Sequence, residues 1–141
     1  MSAINTGKVI VGGLVAGVVF NIVDMINGMY IMAEDFRAHM TRLGLDPTAM
    51  ETGGMMATWV VIDFLFGFLV VFTYAAIRPR FGPGPKTAVY AGLIPYLAVT
   101  MVMFIESQMG MSTMNMFAKM SIIQLVSTVI GSIAGASVYK E

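Results

Sequence analysis

The chain contains no cysteine, which excludes disulfide bonds, thiolate metal sites and cysteine nucleophiles. Charged residues are scarce, at 11% of the sequence against about 25% in soluble domains. Eight basic and eight acidic residues leave no net charge, which argues against nucleic acid as a partner. The sequence also lacks catalytic-triad order, a phosphate-binding glycine loop and a metalloprotease motif. We therefore expect no enzyme activity, and the sequence names no cofactor.

The chain is instead rich in apolar residues, which make up 57% of the sequence and concentrate in four segments. Residues 9–32 carry one charge, Asp24, and are long enough to cross a bilayer core of about 30 Å. Three further spans are predicted at residues 55–77, 87–105 and 116–139. The predicted fold is all-α: one membrane domain over residues 1–141, built as a four-transmembrane-helix bundle. An outer loop is expected over residues 33–54, with an amphipathic helix that continues directly from the first span.

A basic connector at residues 78–86 separates the second and third spans. It contains Arg78, Arg80 and Lys86 together with three prolines and two glycines, which are expected to end the helix at Arg78. These three cations are predicted to fix the topology and to contact anionic lipid headgroups. Because the termini lie on the same side, with Lys8 and Lys140, the positive-inside rule places both termini in the cytoplasm.

Two features of the outer loops are also predicted. Gly44 is expected to follow the end of the amphipathic helix, and Asp46 to cap a short helix that begins with Pro47. Lys119 is expected near the start of the fourth span, where it can pair with Glu106 across a short polar loop.

Several stretches resemble a family of small, uncharacterised four-span bacterial integral membrane proteins. They are the connector IRPRFGPGPKTA followed by AGL, the segment NIVD, the stretch FRAHMTRLG and the closing VYKE. The resemblance covers about residues 9–141 and implies a four-helix membrane domain with a basic Gly/Pro connector. The expected location is the inner (plasma) membrane of the cell. It implies no activity, substrate or cofactor. In that family a carboxylate is expected at the position of Asp24, whereas the high methionine content departs from it.

Four polar residues lie inside the apolar spans, and small residues accompany them. Counted from the middle of each span, the four lie in one layer near the centre of the membrane: Asn21, Asp24, Asp63 and Gln124. Residues three or four positions apart share a helix face, and by this rule glycines that permit close packing flank the layer at Gly13, Gly17, Gly67, Gly131 and Gly135. Gly28 and Ser127 belong to the same faces.

No basic residue lies at the depth of Asp24 and Asp63. An ionised carboxylate near the middle of a bilayer costs at least about 2.5–3.5 kcal/mol, so a proton, a shared proton or a bound cation is expected to neutralise the pair. The other interpretation is structural: protonated acids that bond to Asn21, Gln124 or a backbone carbonyl and hold the bundle together.

All of the 15 methionines except Met1 lie in the outer half of the predicted topology. Thioether and imidazole ligands suit Cu(I), and the candidate ligands are His39, Met40, Met109, Met111, Met114 and Met116. The alternatives are that methionine is a pliable filler, or that it lines a surface for a partner, a lipid or a pigment.

Two function hypotheses follow. The first is a non-enzymatic accessory or scaffold subunit of a membrane complex or homo-oligomer, which packs through the glycine faces and the methionine-rich half. The second is a protein that binds or transports a proton, a cation or Cu(I) through Asp24 and Asp63. In either case the expected partners are the lipid bilayer and another protein or a second copy.

Overall fold

A computed structural model describes residues 4–140, and this part of the chain contains helices but no strand. The α-helices are α1 (Thr6–Ile26), α2 (Ala33–Arg42), α3 (Gly53–Phe81), α4 (Pro85–Gln108) and α5 (Met114–Val138). A π-helical turn, Asn27–Ile31, follows α1, and a 3-10 turn, Pro47–Glu51, precedes α3. The all-α prediction is confirmed.

Four of these helical segments are long and apolar enough to cross a membrane. They are Thr6–Ile31, Gly53–Phe81, Pro85–Gln108 and Met114–Val138. They form a ring in which α1 contacts α3 and α5, while α4 contacts the same two helices from the other side. The multi-pass prediction is therefore supported by four suitable helices in one bundle.

The first and last parts of the described chain meet at one end of the bundle, which we call the terminal end. There the backbone N–H of Asn5 donates to the Tyr139 hydroxyl at 3.2 Å, and the Lys8 ammonium donates to the carbonyl of Lys140. The α3–α4 connector lies at the same end, because the backbone N–H of Gly84 donates to the hydroxyl of Tyr74, whose ring contacts Tyr139. The opposite end, with residues 27–53 and 108–114, is called the loop end.

The prediction that the first span continues directly into the amphipathic helix is wrong. The wide π turn follows Ile26, and Met32 then leaves the helical conformation at φ −111°. The side-chain amide of Asn27, which is 4% exposed, donates to the sulfur of Met120 at 3.6 Å. This buried contact joins the wide turn to α5, and the break at Met32 separates the first span from α2.

The prediction that the basic connector ends the second helix at Arg78 is wrong. Helix α3 continues through Pro79 to Phe81, and α4 begins at Pro85. Proline removes only one backbone hydrogen bond in this last turn, and Arg78 and Arg80 place positive charge beside the negative helix end. Helix α4 starts with its proline at the first position, where the missing N–H costs nothing.

Capping explains the ends at the loop side. Gly44 follows α2 with φ +71°, and its N–H bonds to Thr41 while that of Leu45 bonds to Met40, a Schellman motif. The predicted role of Gly44 is thus confirmed. Asp46 caps the 3-10 turn by accepting from the N–H of Thr48 at 2.9 Å. This bond holds the pKa of Asp46 below its usual value.

Glycines set the distance between α1 and α3. A Cβ added at Gly67 would lie 2.5 Å from the carbonyl oxygen of Gly13 and 2.7 Å from the backbone nitrogen of Gly17. Phe68 and Phe64 close over Gly13 and Gly17 in turn. Gly28 differs, because it lies in the π turn and a Cβ added there would meet no atom within 4 Å. It does not belong to this seam, contrary to the sequence prediction.

We expect Gly67→Ala to destabilise the bundle by about 1–3 kcal/mol, because the new methyl group must push backbone away from backbone. The matched control is Gly28→Ala, where the same methyl group meets open space. Unfolding of both variants in detergent micelles, followed by the fluorescence of the single tryptophan, measures the difference. Equal stability of the two variants would contradict the close α1–α3 contact.

Candidate functional site

The glycine seam brings two carboxyl groups from neighbouring helices together. The side chain of Asp24, on α1, interacts with the side chain of Asp63, on α3, and with that of Gln124, on α5. Each side chain in a helix leans toward the N-terminus of its helix, and α1 and α3 run in opposite directions. The two carboxyls therefore lean toward each other from different turns.

This acid pair is largely removed from the surface. Asp63 is 6% exposed. One carboxyl oxygen of Asp24, Oδ1, is buried and accepts no hydrogen bond from residues 4–140. Within that range the groups that act electrostatically on the two acids are each other and Gln124, and none of them is positive. The pair therefore places carboxyl oxygens inside an apolar bundle without a positive group to neutralise them.

Asn21 does not join the acid pair, although the sequence placed it in the same layer. Its side-chain amide donates to the carbonyl of Gly17 at 2.9 Å and to that of Val60 at 3.4 Å. The second bond crosses from α1 to α3. Asn21 is thus a tie between the two helices beside the glycine seam.

Helix α5 adds polar groups that the sequence analysis did not assign to the acid pair. The hydroxyl of Ser127 is fully buried and bonds to no other group within residues 4–140, and Ser127 lies one turn from Gln124 on the same face. The side-chain hydroxyl of Thr128 is also buried and has no hydrogen-bond partner in this range. After α1, the side-chain oxygen of Asn27 is also buried without a partner among the described residues. Its spacing of three residues from Asp24 is a signal that the sequence analysis missed.

The glycines of α5 lie against α1 and its neighbours. Gly131 lies beneath the ring of Phe20, and a Cβ at Gly135 would lie 2.8 Å from the carbonyl oxygen of Gly12. Helix α5 therefore approaches α1 as closely as α3 does. The acid pair and Gln124 lie where three closely packed helices meet.

The basic residues of the connector lie at the terminal end, away from the acid pair. The guanidinium carbon of Arg78 lies 5.7 Å from the centre of the Tyr139 ring, and the ammonium of Lys86 lies 5.9 Å from that of Tyr90. Arg80 is exposed in the last turn of α3. This arrangement provides no counter-ion for Asp24 or Asp63.

The proposed copper ligands are not gathered into one site. His39 and Met116 line the same small pocket of about 140 Å³ at the loop end, but Arg42 lines it too, with Nη2 3.4 Å from Nδ1 of His39. Met109, Met111 and Met114 are at least half exposed, and Met40 is partly buried. A guanidinium beside the imidazole opposes a metal cation there.

Charged side chains connect the helices at the loop end, but not through the predicted pair of Lys119 and Glu106. Lys119 pairs with Asp35 of α2 at 2.9 Å, not with Glu106. Arg37 pairs with Glu51 at 2.7 Å, and this hydrogen bond raises the pKa of Arg37 above its usual value. Arg42 donates to the carbonyls of Gly110 and Met111. Helix α2 is thus tied across the ends of α4 and α5.

Comparisons with protein-family models, with curated proteins and with solved structures give no match to this chain. The resemblance to four-span bacterial membrane proteins therefore stays a prediction.

Contact between the two acids predicts that their contributions to stability are coupled. Asp24→Asn and Asp63→Asn, made singly and together, should give a coupling free energy of about 0.5–3 kcal/mol, because either change relieves the same juxtaposition. Denaturant unfolding in micelles measures this energy. The control cycle combines Asp63→Asn with Glu106→Gln, an exposed acid on α4, and should be additive to within about 0.5 kcal/mol. Additivity in both cycles would show that the acids do not touch.

Proposed function

We propose that this protein is a non-enzymatic multi-pass membrane protein that binds a proton or a small cation between Asp24 and Asp63. The observation that carries the proposal is the interaction of Asp24 with the buried Asp63 and with Gln124, while no positive residue among 4–140 acts on the two acids. Two carboxylates in such a place cannot both stay ionised at low cost unless something positive joins them.

The donor atoms narrow the class of ligand. The site offers carboxyl oxygens, and the side-chain oxygens of Asn27 and Ser127 are buried without a partner in residues 4–140, about one turn from Asp24 and Gln124 respectively. Hard oxygen donors suit protons and alkali or alkaline-earth cations, whereas Cu(I) prefers thioether and imidazole ligands. The proposal therefore favours the proton or a hard cation over copper.

The orientation of the protein is part of the proposal. Lys8, Arg78, Arg80, Lys86 and Lys140 lie at or near the terminal end, where they favour the cytoplasmic side of a bacterial inner membrane. At the loop end, Lys119 and Arg37 are paired with acids. The loop end is then the extracytoplasmic side.

Infrared spectroscopy of the protein in lipid tests the function. A titration between about pH 4 and pH 9 should show the carbonyl band of a buried carboxylic acid appear as the pair takes up a proton. The double variant Asp24→Asn/Asp63→Asn should lose this band, and Glu106→Gln should keep it. A hard cation that competes for the site, such as Na⁺ or Ca²⁺, should reduce the band at fixed pH.

The proposal fails if the double variant has the same carbonyl band as the natural protein, or if the natural protein has no titrating band and no cation binds in calorimetry. A folded double variant is required for this comparison. Its helix content and elution volume provide that check.

A second candidate function is supported by an uncovered surface. Every residue from 51 to 62 is exposed, including the only tryptophan, Trp59. Such a surface fits the hypothesis of an accessory or scaffold subunit that packs against a partner or a second copy. This role is compatible with the acid pair, because the two use different residues.

Native mass spectrometry of the protein, extracted gently from its own membrane, tests this second candidate. We expect a stoichiometric partner or a homo-oligomer, and Trp59→Ala should weaken it because the ring is about half exposed on the uncovered surface. Tyr90→Ala, an exposed aromatic at the terminal end, is the control. A monomer that carries only lipid would contradict the subunit hypothesis.

A further inference from the structure

Burial is unequal along the two helices α3 and α4. In α3 the first buried residue is Asp63, and every residue before it is exposed. In α4 the last buried residue is Tyr96, and none of the following twelve helical residues is buried. Because α3 begins and α4 ends at the loop end, both uncovered halves lie there. The two helices therefore pack fully only in the terminal half.

A recess on α4 lies in this uncovered half. Its volume is about 410 Å³, and it is lined by Ala98, Val99, Val102, Met103 and Glu106. Steps of three or four residues place Val99 and Val102 on the same helix face as Pro95 and Gly92, which are buried. The recess is thus the continuation of the inner face of α4 toward the loop end. It is apolar except for Glu106.

The terminal half is closely packed. Phe20 is 2% exposed and covers Gly131, and a Cβ at Gly12 would lie 2.7 Å from the carbonyl oxygen of Gly135. Val70 and Val71 are fully buried about two turns beyond Asp63. This half is closed by side chains and by backbone contacts.

Asp63 lies at the boundary between the open and the closed half. We propose that the acid pair exchanges its ligand with the loop end only, through the recess beside α4, and is sealed from the terminal end. The inference rests on the proposed function for the identity of the ligand, a proton or a small hard cation. The protein would then bind its ligand from one side and would not provide a pathway across the membrane.

Cysteine accessibility tests the direction of access, and the natural chain, which has no cysteine, is a ready background. Single variants are Val99→Cys and Val102→Cys in the recess, Val70→Cys in the closed half, and Leu97→Cys on the outward face of α4. Thr48→Cys and Thr6→Cys mark the loop side and the terminal side of reconstituted vesicles, because both positions are exposed. A membrane-impermeant thiol reagent is applied to each side in turn.

We expect Val99→Cys and Val102→Cys to react from the Thr48 side at least about tenfold faster than Val70→Cys and Leu97→Cys, because a thiolate forms only where water reaches it. Asp63→Cys should react from the same side, and not from the Thr6 side. Val99→Cys and Val102→Cys keep both acids, so the test stands even if Asp63→Cys does not fold.

Two results would overturn the inference. The first is that the cysteines in the recess react no faster than Leu97→Cys, which would mean that water does not reach the recess. The second is that Val70→Cys or Asp63→Cys reacts from the Thr6 side.

The failure of this inference can be distinguished from the failure of the proposed function, because labelling depends on water and not on ligand binding. A missing infrared band with one-sided labelling therefore rejects the proposed function alone, and two-sided labelling with a normal band rejects this inference alone.

Discussion

The contact between the backbones of α1 and α3 is the constraint on which the rest of the structure depends. Gly67 lies against Gly13 and Gly17 so closely that a methyl group would meet backbone atoms. Lipid gives helices no hydrophobic reason to associate, so such close packing and the hydrogen bond from Asn21 to Val60 stabilise the pair. The same closeness brings Asp24 and Asp63 within reach of each other. Stability and the candidate site thus arise from one seam.

Much of this seam could be predicted from the sequence, because regular helices obey simple periodicity. Steps of three and four residues placed Gly13 and Gly17 on one face, and the depth of each acid in its span placed Asp24 near Asp63. In the structure Gly13 and Gly17 both lie against α3, and Asp24 interacts with Asp63. The sequence could not reveal that Asn21 bonds to a backbone carbonyl, since that depends on the angle of its side chain. It also could not reveal that Lys119 reaches Asp35, because the position of α2 depends on a tertiary turn.

The errors at helix ends have a local cause. Proline and glycine signal the end of a helix, but Pro79 lies in a last turn where few hydrogen bonds remain to be lost and where two arginines favour the helix end. At Asn27 the chain inserts a wide turn that no propensity marks. In both places a contact distant in sequence or a charge outweighs the local preference.

The π turn Asn27–Ile31 also determines how α2 is rotated about its axis relative to α1. Each residue in an α-helix advances its side chain by about 100°, so one extra residue in a turn rotates all that follows. This rotation fixes where α2 leaves the bundle, and Asp35 lies on the side of Lys119. A chain that lost one residue here would present a different face of α2 to α5. The number of residues in this turn therefore determines which face of α2 lies against α5.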